Sequence, residues 1–531
     1  MRTARAGLCI AIGFAGLAAA AAVVPATAGS GGSAVGLSTC TGMRPVVAYH
    51  PGGHVLSPQP RRLPVACGGS TGFPGAESHL VTMRDGTVVF TPAVLPQGVA
   101  GTGVAPVPVG DHSQSNASPG ALVVTGDNGA HWRLVKPSGV TWNPTDHSEY
   151  VDPASGRMFF EDYGPIPPAP QLGAQQEGPA YINFSDDLQH WHHAVINHLT
   201  LPENPRFTSD VAPKGQPKPQ GYPDVTYFCA NTNVGFVSPV IAGRLCYHSL
   251  NGGTTWSLPS VLFTGAAPQH SECGGQGENY SAIDGNYPQA APDGRLYVMV
   301  SCGSATYLAR SDDEATTFPI IHEQGKAVTL PVPATSTGSV GGTPELRIGR
   351  DGTFMLVYQV GQKLLLRLST TRGTTWTSPY DISAPGVTAM QQWSLASARD
   401  SDLAISILGH RSGQKTWDGY VISARDLLAG VRSSAGPVLY VGQINPMSRP
   451  LLYGNSVEGS GYLALPGGVN APYPPPFNNQ MFGNDFIGVT ITPDGTAWGS
   501  FTQDCGTSPK DKGCLQQDDQ TRGFAGHLTW H

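Results

Sequence analysis

Short apolar runs recur along the chain between polar corners, and within them apolar side chains alternate as they do in half-buried strands. Ala121-Leu-Val-Val leads into one such corner and Lys363-Leu-Leu-Leu-Arg-Leu into another. Five corners share one pattern: Thr125-Gly-Asp-Asn-Gly-Ala-His-Trp132, Phe184-Ser-Asp-Asp-Leu-Gln-His-Trp191, Ser249-Leu-Asn-Gly-Gly-Thr-Thr-Trp256, Ser311-Asp-Asp-Glu-Ala-Thr-Thr-Phe318 and Ser369-Thr-Thr-Arg-Gly-Thr-Thr-Trp376. Their closing aromatics lie 59, 65, 62 and 58 residues apart, a period that marks a repeat architecture. The opening Ser, Thr, Asp or Asn bonds nearby amides, and a fifth-position glycine supplies positive φ. The closing aromatic then folds onto a core, so each corner is predicted to be a hairpin loop between antiparallel strands.

A second signal keeps register with the first. Asp85-Gly86, Asp293-Gly294, Asp351-Gly352 and Asp494-Gly495 each precede a strand-like run, the pattern of a hairpin turn. Asp293 to Phe318 and Asp351 to Trp376 both span 25 residues, so turn and corner belong to one unit of about four strands, the size of a propeller blade. Degenerate units start at Asp152 and Asp400, and a last one spans Asp485 to Trp530. The count predicts an all-β fold, a β-propeller of four-stranded antiparallel blades, with seven blades; six blades with insertions is the alternative. The run Gly526-His-Leu-Thr-Trp530 is expected to close the ring beside the first blade.

Composition narrows the class. With 68 Gly and 47 Pro among 531 residues and only 13% charged, a coiled coil, a helical bundle and a charged disordered chain are excluded. The net charge of −7 offers no basic surface, so no nucleic-acid partner is expected. Arg2 and Arg5 precede an apolar run, Gly7 to Val24, followed by Ala26-Thr27-Ala28; residues 1–28 read as a secretory signal cleaved after Ala28. The mature chain is expected to be secreted, monomeric and without a membrane span. Residues 29–69 read as a linker and disulfide loop, and 70–531 as the propeller.

Cys9 leaves with the signal, and the even remainder points to disulfides. Pairing neighbours in sequence gives Cys40–Cys67, Cys229–Cys246, Cys273–Cys302 and Cys505–Cys514. No Cys-x-x-Cys pair appears, and no metal or other cofactor is expected.

The corners resemble the Asp-box, or BNR, repeats of the sialidase superfamily, and the resemblance covers roughly residues 70 to 531. It implies a six- or seven-bladed propeller with corners on the rim and substrate on the axis. It also implies a glycoside hydrolase with a Tyr–Glu nucleophile pair, an aspartate acid–base and arginines gripping a sugar carboxylate. The family's Arg-Ile-Pro signature has no counterpart; Arg44-Pro45 and Arg449-Pro450 are the nearest dipeptides.

The Gly-rich loop His270 to Asp284 carries Glu278 and Tyr280, which fit that pair, and Asp485 in Asn484-Asp485-Phe486 enters the last unit. Arg347, Arg411 and Arg449 come from consecutive units and are the candidates for substrate binding. His147-Ser-Glu149-Tyr150 and the segment Asp224 to Tyr227 rank below them. A glycan or glycoconjugate is therefore the expected partner. A non-catalytic propeller binding glycan or protein is the other reading. Acids and arginines around the channel would favour the enzyme; an apolar or glycine-lined channel would favour the binder.

Overall fold

A computed structural model describes residues 38–74, 78–91, 122–135, 148–163, 180–196, 202–233, 241–264, 270–273, 288–302, 305–333, 344–398, 401–414, 416–433, 436–453, 487–503 and 522–530. These form a propeller of seven antiparallel blades. Named from the axis outward, blade one is His79–Thr82, Val88–Thr91, Leu122–Thr125 and Arg133–Val135. Blade two is Glu149–Val151, Met158–Tyr163, Ala180–Ser185 and His192–Ile196, and blade three is Pro202–Asp210, Val225–Asn233, Ile241–Ser249 and Ser260–Thr264. Blade four pairs Gln289–Ala290, Leu296–Cys302 and Ala305–Ser311; single bridges Ala309–Ile320 and Tyr307–Thr329 run along its outer edge. Blade five is Glu345–Ile348, Phe354–Val360, Lys363–Ser369 and Tyr380–Asp381.

The last two blades borrow strands from the N-terminal part of the chain. Blade six, Val387–Ser397, Leu403–Arg411, Thr416–Ala424 and Leu439–Gln443, is widened by Val47–His50 and His54–Val55. In blade seven, Gly488–Ile491, Ala497–Gln503 and Arg522–Thr529 are completed on the outside by Val65–Pro74. The blades therefore begin before residue 70. The final strand is the third of its blade rather than an edge beside blade one. It is held between two partners, and the ring is closed by sequence from the opposite end of the fold. A disulfide, Cys40–Cys67, fastens the closing strand. Cys229–Cys246 bridges two directly opposed residues of blade three, and Cys273 is also disulfide-bonded. Cys505 and Cys514 lie outside the described residues.

Burial is organised by seam. The described core separates into seven apolar clusters, and each joins two neighbouring blades. Trp132 and Trp498 close the ring between blades one and seven with ring centroids 6.2 Å apart, edge to face. Each corner aromatic packs into the seam with the blade before it: Trp191 against blade one, Trp256 against blade two, Phe318 against blade three and Trp376 against blade four.

Corner geometry follows from the hydroxyl that opens it. Thr125, Ser249, Ser311 and Ser369 accept the N–H four residues on at 2.9, 2.9, 3.0 and 2.9 Å. Asp127, Asn251, Asp313 and Thr371 then accept a second N–H four residues further along. The fifth position has φ between 62° and 89° in all five corners, even where it is Leu188 or Ala315. The hydroxyl bond holds there what glycine would adopt freely. Blade six replaces the corner with a short helix, Leu427–Arg432, capped by Asp426.

Candidate active site

Because the strands alternate in direction, turns between first and second strands and between third and fourth strands share one end of the ring. The corners and Asp-Gly turns occupy that corner end; the innermost strands begin at the other, the entry end. Between them the seven innermost strands line a central channel of about 860 Å³. Its wall is polar and apolar in nearly equal measure, and its charged groups sort by depth.

At the entry end, Glu149 opens the inner strand of blade two and is buried. Thr91 of blade one and the Arg206 guanidinium of blade three lie by its carboxyl and favour the charged form. Burial outweighs both and pushes its pKa up to about 8. At neutral pH this group is a carboxylic acid that can give a proton. Opposite in the ring order, Glu345 Oε2 meets Arg347 Nη2 at 2.9 Å. Arg347 also donates through Nε to the Leu395 carbonyl at 3.0 Å and through Nη1 to that of Leu346 at 3.1 Å. The pair thereby ties the inner strands of blades five and six.

Two inner strands are irregular just where they enter. Register shifts fall between Glu203 and Arg206 in blade three and between Met390 and Gln392 in blade six. Such bulges bend a strand and re-aim its side chains. They set Arg206 and Gln392 on the channel wall.

At the corner end, Asp152 accepts from Tyr222 Oη at 2.8 Å and from the Ser155 N–H at 2.9 Å. It also accepts from the hydroxyls of Ser155 and Ser209. Burial alone would raise Asp152, yet these hydrogen bonds from Ser155, Ser209 and Tyr222 hold its pKa below the usual range. Asp224 lies against it, and burial and the Asp152 charge push Asp224 up to about 7. Asp210 is raised by burial to about 6, with the charges of Asp293 and Asp152 adding to it. Arg350 opposes both shifts. Within the Asp152–Asp224 pair one carboxylate is thus held ionised and the other shifted toward its protonated form.

Of the arginines singled out in the sequence, Arg347 lines the channel, whereas Arg411 and Arg449 are not among its lining residues. Arg411 bonds Tyr420 and faces the buried Asp418. Asn445 Nδ2 donates to Asp418 at 2.8 Å and to the Arg449 carbonyl at 2.9 Å. The Arg411 side chain and the Arg449 backbone carbonyl therefore meet one polar cluster inside blade six. Glu278, Tyr280 and Asp485 lie outside the described residues. The segments ranked lower supply Glu149 and Asp224. Arg206, Glu345 and Gln392 were not anticipated. One sequence signal does mark them in part: His79 and Glu345 stand six residues before the Asp-Gly turns at Asp85 and Asp351, where an inner strand starts. Among the described residues no group of three or more His, Cys, Asp or Glu is arranged to hold a metal ion, and no helix is long and apolar enough to cross a membrane.

No protein-family model and no curated protein matches the chain. Among solved structures it is similar to a Dyadobacter fermentans protein of unknown function at 10% identity, covering 92% of this chain and 100% of that one, TM-score 0.37. The NanB sialidase of Streptococcus pneumoniae aligns at 10% identity over 84% of each chain, TM-score 0.36. The alpha-L-arabinofuranosidase of Fusarium graminearum aligns at 14% identity over 68% of this chain and 98% of that one, TM-score 0.38. At these scores function has to be read from this chain's own residues.

Proposed function

We propose that the protein is a secreted glycoside hydrolase working at the entry end of the channel, with Glu149 as its general acid. The single observation that carries this reading is the buried Glu149 carboxyl on the channel wall, raised to about 8 and faced by Arg206. Glycoside cleavage needs an acid that is still protonated near neutral pH to protonate the leaving oxygen. The presence of Glu149, Glu345, Arg206 and Arg347 on a wall that is otherwise half apolar also favours an enzyme over a binder, for which an apolar or glycine-lined wall was expected.

In this reading Glu149 gives its proton to the glycosidic oxygen as the bond to the anomeric carbon breaks. Tyr280, its phenol proton taken by Glu278, attacks that carbon; water then adds to the carbon, giving its proton to Glu149, as Tyr280 leaves and takes its proton back from Glu278. Asp485 is proposed as a further carboxylate of the site. The chain enters the inner strands of blades four and seven shortly after these residues. Secretion through residues 1–28 fits a chain with Cys40–Cys67 and Cys229–Cys246 disulfides, which persist in oxidising compartments.

The test is a screen of the purified protein against aryl glycosides, followed by Glu149→Gln, Glu278→Gln, Tyr280→Phe and Asp485→Asn. Turnover that survives Glu149→Gln undiminished removes Glu149 from the mechanism. No turnover on any glycoside removes the hydrolase reading.

A further inference from the structure

We infer that the channel is built for an uncharged, polyhydroxylated sugar, and that Gln392 is a specificity-determining residue bonding its hydroxyls. This rests on the glycan-acting reading above and names its substrate class. A sugar carboxylate is held by arginines whose forked N–H groups point into the site. Here Arg347 is already matched to an acid of the protein itself. Arg347 is engaged by Glu345 and by two backbone carbonyls, and Arg206 faces Glu149. Arg411 faces the Asp418 cluster within blade six, and neither Arg411 nor Arg449 is among the channel-lining residues. An anionic sugar would meet an Arg347 that is already engaged and would lie beside the Glu345 carboxylate.

Gln392 offers the opposite chemistry. It is 1% exposed and lines the channel, yet neither Nε2 nor Oε1 has a hydrogen-bond partner, and the Oε1 of the bulged Gln391 has none either. A buried amide with both ends unbonded is disfavoured unless a ligand or water completes it. A carboxamide presents a donor and an acceptor side by side, as a sugar hydroxyl does. A carboxylate only accepts, so it would satisfy Nε2 and be repelled by Oε1. The strand bulge that sets Gln392 on the wall is an independent sign that this position is shaped for contact.

The experiment compares 4-methylumbelliferyl glycosides of neutral sugars (α-L-arabinofuranoside, β-D-galactoside, β-D-glucoside) with those of N-acetylneuraminic acid and glucuronic acid. Binding to immobilised neutral and acidic oligosaccharides is measured alongside. Activity or binding confined to the neutral set is expected, with KM or Kd raised about tenfold by Gln392→Ala. Gln392→Glu, which keeps the shape and loses the donor, should have a similar effect, and thermal unfolding of both variants reports whether they fold. Comparable kcat/KM on the acidic set overturns the inference while leaving a hydrolase. Neutral binding without turnover upholds the inference and overturns the hydrolase. Failure to act on or bind either set overturns both, and an unchanged KM or Kd in both folded variants removes Gln392 from recognition.

Discussion

Glu345 and Arg347 stand two residues apart on the inner strand of blade five and meet at 2.9 Å, side chains only 7% and 17% exposed. Removing one partner leaves the other charge in a site with little water. Arg347→Met is expected to destabilise the protein by about 3 kcal/mol. The double variant Glu345→Gln with Arg347→Met should recover at least half of that loss in urea unfolding. A double variant no more stable than Arg347→Met would mean that the pair is not the source of the effect.

Glu149 links activity to pH. Its acid form is lost as pH rises through about 8, so kcat/KM is expected to fall on the alkaline side with a midpoint near that value. Glu149→Gln should lower kcat roughly a hundredfold or more. A rate profile flat from pH 6 to 9 contradicts the assignment.

Stability should carry the same signature. Glu149, Asp210 and Asp224 have pKa values of about 8, 6 and 7, raised above their unfolded values chiefly by burial. The folded chain therefore holds protons that the unfolded chain has released above about pH 4. Their contribution is fully present below that pH and is lost as pH climbs through 6 to 8, on the order of a few kcal/mol together. Asp152, with its lowered value, acts in the opposite sense only at more acidic pH. Thermal unfolding is expected at lower temperature at pH 8 than at pH 5. Asp224→Asn should flatten that slope, and a steeper one would show the sign to be wrong.

Ring closure depends on a tight backbone approach. A Cβ on Gly68 would stand 2.1 Å from the Ile444 carbonyl oxygen, and backbone cannot yield as a side-chain tip does. Gly68→Ala is expected to cost about 2 kcal/mol or more, and Cys67→Ser about 3 kcal/mol through the freed loop of 27 residues. Calorimetry of each variant under oxidising conditions measures both; full stability in Gly68→Ala would mean that the closing strand is not seated there.

The rim corners should behave as architecture. Ser369→Ala strips the acceptor from the buried Gly373 N–H and should cost about 1 to 2 kcal/mol. Its kcat and KM should equal those of the unaltered protein, and a selective loss of kcat would assign the corner a part in the chemistry.

The recurring corners, the Asp-Gly turns and the alternation between them were enough to specify strands, hairpins and a seven-unit ring, because each depends on contacts within a few residues. A hydroxyl bonding the amide four positions on, as in Ser249 and Gly253, is written in local sequence. What lines the axis is not. Glu149, Arg206, Glu345 and Gln392 share the channel only because strands hundreds of residues apart are brought into one circle. Their roles are set by neighbours from other blades. Arg347 is held by Glu345 and, across blades, by the Leu395 carbonyl, and Glu149 keeps its proton near neutral pH only because the surrounding blades remove water from it. Blade seven likewise takes its outer strand from residues 65–74, a pairing across the length of the chain. Local hydrogen bonding was legible from the residues themselves; desolvation and charge pairing across the axis depend on distance in space, which only the folded ring determines.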